Sequence, residues 1–221
     1  MNYELTDLPE RPEQWQQTEQ LEDGILREYI GFRESTAEAW EQTDAVLGDM
    51  GDLENWHMQA ETLSCTVSIQ ELVGEQLLGR DLPEEEMIAY AQKRGWYDPA
   101  EGSTKSDTGK VLEAMGFEVH RANDQTLQDL LEALAEGEKV ICGVDTLVLQ
   151  NADLADMPGR KANHVVQLAA IDFSDPENPQ AVVNDMGIPD GRGIRYDLDD
   201  FLDAWKAGGN YAVTVGKGAA V

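Results

Sequence analysis

A chain of 221 residues with 41% apolar content can bury one sizeable core, and none of its apolar runs approaches the roughly 20 residues a membrane helix needs. Its 44 Asp and Glu against 16 Lys and Arg leave a net charge of −28, a field that repels nucleic acid and anionic membranes and favours a basic partner or substrate. Two cysteines exclude a disulfide framework, and the acidic start Met1–Glu13 lacks the apolar stretch of a secretory signal. The chain therefore reads as cytoplasmic, or as exported without a cleaved signal peptide.

Residues 1–50 are rich in Glu, Gln and Trp and read as an N-terminal helical extension. Trp15, Leu21, Ile25, Leu26 and Ile30 recur at helical spacing, and a second helical stretch runs from Glu34 to Leu47. Gly48 and Gly51 mark a break, after which residues 51–221 form the main domain. The extension could pack as an arm, cover a cleft or mediate dimerisation.

In the main domain helices come first. Thr66–Leu78 has apolar residues at a 3.6-residue period and ends at Gly79. Asp81–Gly95 reads as a helix with Pro83 in its first turn, acids near its start, and Lys93 and Arg94 at its end. A loop follows over residues 98–106. Residues 107–116 predict a short helix and 117–121 a strand; residues 123–137 predict a helix capped by Asn123 or Asp124 and closed by Gly137. Strands then occupy residues 139–145, 163–172 and 179–185. A helix over 197–205, its D-L-D-D start serving as cap and dipole complement, and a strand over 211–216 complete the chain. Leading helices followed by an antiparallel sheet make an α+β pattern.

Cys65 stands where the Thr66–Leu78 helix begins. Free N–H groups and the positive end of the helix dipole favour a thiolate there. His164 heads an apolar strand, on one face with Val166, Leu168 and Ala170. Asp185 ends the following strand, so its carboxylate can reach one ring nitrogen of His164 while the other faces the helix start. Gln59, six residues before the cysteine, carries an amide able to donate to an oxyanion. Nucleophile, base, orienter and oxyanion donor are the groups acyl transfer needs.

These residues in this order resemble the papain-like cysteine peptidases, above all the bacteriocin-processing peptidases that cut leader peptides after double-glycine sites, and their free-standing relatives. The resemblance rests on Q-A-E-T-L-S-C-T-V-S-I-Q-E-L-V-G, D-T-G-K-V-L-E-A-M-G-F-E-V, L-L-E-A-L-A-E-G-E-K-V-I-C-G-V, N-H-V-V-Q-L-A-A-I-D and A-V-V-N-D-M-G, and covers roughly residues 52–215. It implies a papain-like fold with the nucleophile helix packed on an antiparallel sheet. It further implies Cys65 as nucleophile, His164 as base, Asp185 as orienter and Gln59 as oxyanion donor, acting on a peptide or protein substrate. Ser64 and Thr66 flank the cysteine, where papain itself has an aromatic residue after it. Asn184-Asp185-Met186 stands where the family often has Asp-Pro, so Asn184 is an alternative orienter. No transporter segments follow, so the double-glycine specificity is not carried over.

Each residue also has a plain structural reading: Cys65 as a buried thiol, His164 as a core histidine, Asp185 as a turn residue before Gly187. Cys142 reads as a core strand residue, and His57 and His120 as structural or exposed. The chain has no zinc-type Cys/His spacing, calcium loop, phosphate loop or dinucleotide fingerprint, so no metal or cofactor is expected. The same constellation would serve a peptidase, an amidase or a transglutaminase-like enzyme. A catalytically silent fold of this kind would be a peptide-binding module.

Overall fold

The computed structural model describes residues 45–216 apart from residue 176. The helical reading of residues 1–44 lies outside the described residues. The sheet is antiparallel throughout and has seven strands among the described residues: β1 (Val46–Gly48), β2 (Glu118–Ala122), β3 (Lys139–Val144), β4 (His164–Asp172), β5 (Gln180–Asn184), β6 (Ile194–Asp197) and β7 (Ala212–Gly216). The order is β2-β7-β3-β4-β5-β6, with β1 paired to the far end of β4. The helices are α1 (Cys65–Leu78), α2 (Glu84–Arg94), α3 (Lys110–Ala114), α4 (Leu127–Ala135), α5 (Thr146–Gln150) and α6 (Leu198–Ala207). The α+β expectation holds.

Every residue of β3 is buried, which requires cover on both faces of the sheet. On one face α1 lays Ile69, Leu72 and Val73 against Ile141, Val165, Val213 and Val215. Complete burial of such side chains stabilises by about 1.5–3 kcal/mol each. The helices α4 and α6, which also contact β3, supply further cover through buried Leu130, Leu131, Phe201 and Trp205. Helix α2 packs Met87 and Ala91 beside Val67, extending the apolar layer beyond the sheet.

Several boundaries differ from the sequence reading. Val46 and Leu47, expected at the end of a helical stretch, pair instead with Asp172 and Ile171 in β1. Gly48 follows at φ +113°, where a Cβ would collide with the Ala169 carbonyl. Pro83 is the N-cap of α2 rather than part of its first turn. The cap of α4 is Thr126, in a reciprocal box with Asp129, and not Asn123 or Asp124. Asp197 precedes α6 without a side-chain cap bond, while Asp199 and Asp200 occupy its first turn. The short helix α5, capped by Asp145, and the strand β6 were not foreseen. The last strand, β7, lies between β2 and β3. Among the described residues no helix is long and apolar enough to cross a membrane.

A buried polar cluster fastens the segment before α1 to the sheet. Lys139 Nζ lies 2.6 Å from Asp52 Oδ1. Gln76 on α1 and Gln167 on β4 exchange amide hydrogen bonds of 2.9 and 2.7 Å. Asn184 joins by donating to the Asp52 carbonyl and to Gln167 Oε1. Its Oδ1 accepts the Gly193 N–H, so both ends of the Asn184 amide are engaged.

Candidate active site

Helix α1 begins at Cys65, and β4 begins at His164. The helix packs over the face that Val165 and Gln167 present, and at the end of the strand Cys65 and His164 line one cleft. Antiparallel pairing sets Gln167 opposite Asn184. One residue further, Asp185 falls opposite Val166 and therefore diagonal to His164, within reach of a side chain. His164 Nε2 is 2.7 Å from Asp185 Oδ1. That leaves Nδ1 as the ring nitrogen not engaged by Asp185, in the cleft that Cys65 also lines. Three of the four sequence-predicted residues are thus brought together, and Asp185 rather than Asn184 is the partner of His164.

The surroundings hold this line rigid. Gly187 N–H donates to the same Asp185 oxygen at 2.8 Å, and Trp56 Nε1 donates to the Asp185 carbonyl at 2.8 Å. A Cβ on Gly187 would sit 2.8 Å from His164 Cε1, so the imidazole occupies space that only glycine leaves open. Neither Trp56 nor Gly187 stood out in the sequence. The one available signal was the glycine two residues after the acid.

Burial alone would push the Cys65 thiol up. The hydrogen bond and charge of His164 oppose it, with smaller help from the Thr66 hydroxyl and the Val165 N–H, and the net shift is downward. For His164, burial disfavours the charged ring, but Asp185 and Cys65 outweigh it and raise the imidazolium to about 10. The favoured pair between those limits is thiolate and imidazolium. Cys142, fully buried in β3, is pushed up by burial alone and has no such partner.

Gln59 lies in the same cleft as Cys65, a cavity of about 500 Å³ whose walls include Leu63, Ser103, Asn163, Ile188 and Tyr196. Its amide does not stand free. Nε2 donates to the carbonyls of Glu61 and Thr62, at 2.7 and 3.0 Å, and Oε1 is buried without a partner. Both N–H groups are therefore engaged in the turn that leads to Cys65. The backbone N–H of Cys65 is among the first-turn donors that α1 itself cannot satisfy.

Elsewhere, His57 Nε2 and the carboxylates of Glu71 and Glu75 lie within 4.8 Å of one another, a set with the donors of a metal site. These groups answer one another's charges. His57 Nε2 is 2.8 Å from Glu71 Oε2, a hydrogen bond that raises the imidazolium to about 9 against the cost of burial. Burial, opposed by His57, pushes Glu71 up to about 7. Glu75 accepts the Leu82 N–H at 2.7 Å. The sequence reading left His57 as structural or exposed and passed over both glutamates.

No family model matches the sequence. No curated protein matches it. Solved structures do. A protein of Bacillus anthracis, provisionally assigned as a C39-like peptidase, superposes with a TM-score of 0.55 at 12% identity, over 79% of this chain and 99% of that one. The double-glycine-motif protease of an AMS/PCAT transporter, solved with its leader peptide, gives a TM-score of 0.48 at 14% identity, over 73% and 90% of the two chains. The peptidase domain of Streptococcus ComA, a bifunctional ABC transporter of a quorum-sensing pathway, gives 0.46 at 16% identity, over 73% and 97%. At such identities the likeness speaks to architecture: the described residues adopt the mixed, papain-like fold of the C39-like peptidase of Bacillus anthracis.

Proposed function

We propose that the chain is a papain-like thiol peptidase acting through Cys65, His164 and Asp185. The observation that carries this reading is the position of His164, bonded through Nε2 to Asp185 and sharing one cleft with Cys65 at the start of α1. A histidine held by a carboxylate and paired with a thiol of lowered pKa is the arrangement that activates a cysteine nucleophile.

The Cys65 thiolate attacks a peptide carbonyl carbon. A C–S bond forms, and the carbonyl electron pair moves to oxygen. The Cys65 N–H and the Gln59 amide stabilise that oxyanion, Gln59 after releasing one of its two carbonyl bonds. The tetrahedral adduct collapses, the C–N bond breaks, and the His164 imidazolium protonates the departing amine. Water then gives a proton to His164 and its oxygen to the thioester carbon, so that acid is released and the thiolate returns. The net charge of −28 favours a basic peptide or protein segment as substrate.

The test is acylation of Cys65 by p-nitrophenyl acetate in wild type and Cys65→Ala, followed by a peptide-library cleavage screen. Nitrophenolate release that depends on Cys65 supports the reading; equal release from the two proteins would sink it. The engagement of Gln59 by Glu61 and Thr62 favours a second reading, a peptide-binding module whose oxyanion site stays closed. That module would bind library peptides without cleaving them.

A further inference from the structure

We propose that Glu84, the first residue of α2, is a positioning residue that sets Gln59 for oxyanion stabilisation. The inference rests on the peptidase reading of the cleft. Glu85 and Glu86 in the same first turn are exposed, as acids serving a helix dipole usually are. The Glu84 side chain is only 11% exposed and turns inward, toward the loop that precedes the nucleophile.

Its carboxylate is the acceptor for two elements at once. Ala60 N–H donates to both oxygens, at 3.1 and 3.2 Å. The Ser68 hydroxyl of α1 donates to Oε1. The other oxygen faces His57 Nδ1 at 3.9 Å, and His57 is tied to Glu71 of α1 through its second nitrogen.

The consequence falls on Gln59. Its own N–H donates to the Met186 carbonyl at 2.8 Å, and the next N–H, that of Ala60, belongs to Glu84. Both peptide N–H groups flanking the Gln59 Cα are therefore anchored, one to the segment after the triad acid and one to α2. Ser64 Oγ lies 2.9 Å from Ser68 Oγ and gives its proton to the Glu61 carbonyl at 2.9 Å, so with the Ser68 proton on Glu84 the two hydroxyls touch without a hydrogen between them. That carbonyl is one of the two that hold the Gln59 amide. Glu84 thus reaches Gln59 through the backbone at Ala60, and the Ser68 hydroxyl fixes the carboxylate that does so. An amide stabilises an oxyanion when its nitrogen stands about 2.7–3.1 Å from it, and charge-assisted bonds to backbone N–H groups supply that precision.

Two reagents separate this role from thiolate formation. Iodoacetamide alkylates Cys65 by displacement at carbon and builds no oxyanion. p-Nitrophenyl acetate acylates it through a tetrahedral oxyanion. In the full chain, Glu84→Ala is expected to slow acylation about tenfold, a fraction of the roughly 10²–10³ that loss of a whole oxyanion donor costs, and to leave alkylation within about twofold. Glu84→Gln keeps an oxygen for Ala60 N–H and the Ser68 hydroxyl, so it should recover to within about threefold of wild type. Glu84→Ala leaving both rates unchanged, or slowing both alike, would overturn the proposal. If Glu84→Ala does not fold, Ser68→Ala carries the test: slowing of acylation alone supports it, and two unchanged rates overturn it. A wild type no faster with the ester than Cys65→Ala would instead overturn the peptidase reading beneath it.

Discussion

Asn184 and Asp185 are neighbours in the chain and serve separate networks. Asn184 is fully buried and spends its amide on the Asp52 carbonyl, Gln167 and Gly193, whereas Asp185 accepts from His164 and Gly187. Substitution should separate the two roles. Asp185→Asn is expected to slow alkylation of Cys65 at pH 7 about tenfold or more, because a unit loss in the histidine shift is worth about 1.4 kcal/mol. Asn184→Ala should leave that rate unchanged and cost about 1–3 kcal/mol of stability for the buried partners it orphans. Mass-spectrometric alkylation rates and urea unfolding of the two variants check the division; the reverse pattern would make Asn184 the orienter.

The pH profile of Cys65 follows from opposed shifts on one pair. The thiol lies below its ordinary value and the imidazolium is raised to about 10. The thiolate should therefore form at lower pH than in a free thiol and persist as pH rises. It loses its imidazolium partner only near pH 10. In His164→Ala the burial of Cys65 acts unopposed by the ring, and the onset should move to more alkaline pH. Cys142, raised by burial, should stay silent in folded protein at every pH tested. Alkylation of both cysteines from pH 5 to 10 reads all three expectations.

Gly187 offers a steric test. A methyl group there would stand 2.8 Å from His164 Cε1 and 3.2 Å from Asp185 Oδ1, too close for either to keep its place. Gly187→Ala should displace the ring, and a displacement near 1 Å costs about 10²-fold in a positioned reaction. Acylation of Cys65 is the readout, with circular dichroism to confirm the fold. An unchanged rate would mean that the His164–Asp185 contact is not what activates the thiol.

The positions of Cys65, His164 and Asp185 were legible because each sits at an element boundary that composition marks. Cys65 precedes a 3.6-residue pattern, His164 opens an apolar run, and Asp185 follows one. What the sequence concealed depends on partners distant along the chain. Val46–Gly48 is three residues long, and only pairing with β4 makes it a strand. The strand β6 has no buried alternation to announce it, and α5 is a single turn set by the Asp145 cap. The direction of the Gln59 amide depends on the carbonyls of a turn, which no residue pattern encodes. Glu84 looked like a helix-start acid among three, and its inward turn follows from where Ala60 and Ser68 lie.

The Lys139–Asp52 pair gives a stability prediction with a definite pH dependence. Both side chains are nearly buried, at 10% and 6% exposure, and Nζ lies 2.6 Å from Oδ1. Burial raises the Asp52 carboxyl, and the hydrogen bond and charge of Lys139 already oppose that rise. Replacing Lys139 with Met keeps the apolar stem but leaves a carboxylate without its cation. Removing one partner of a buried pair costs about 3–5 kcal/mol. The sign follows from linkage. A carboxyl whose folded pKa exceeds the unfolded one contributes most stability below the unfolded value and loses it as pH rises through the folded value. Without Lys139 the Asp52 shift grows upward, so the deficit of Lys139→Met should be largest at neutral pH and narrow on acidification as Asp52 takes up a proton. Urea denaturation of wild type and variant at pH 7 and pH 5 measures it. A deficit that stays constant or widens at pH 5 would show that the loss comes from packing rather than from an unpaired charge.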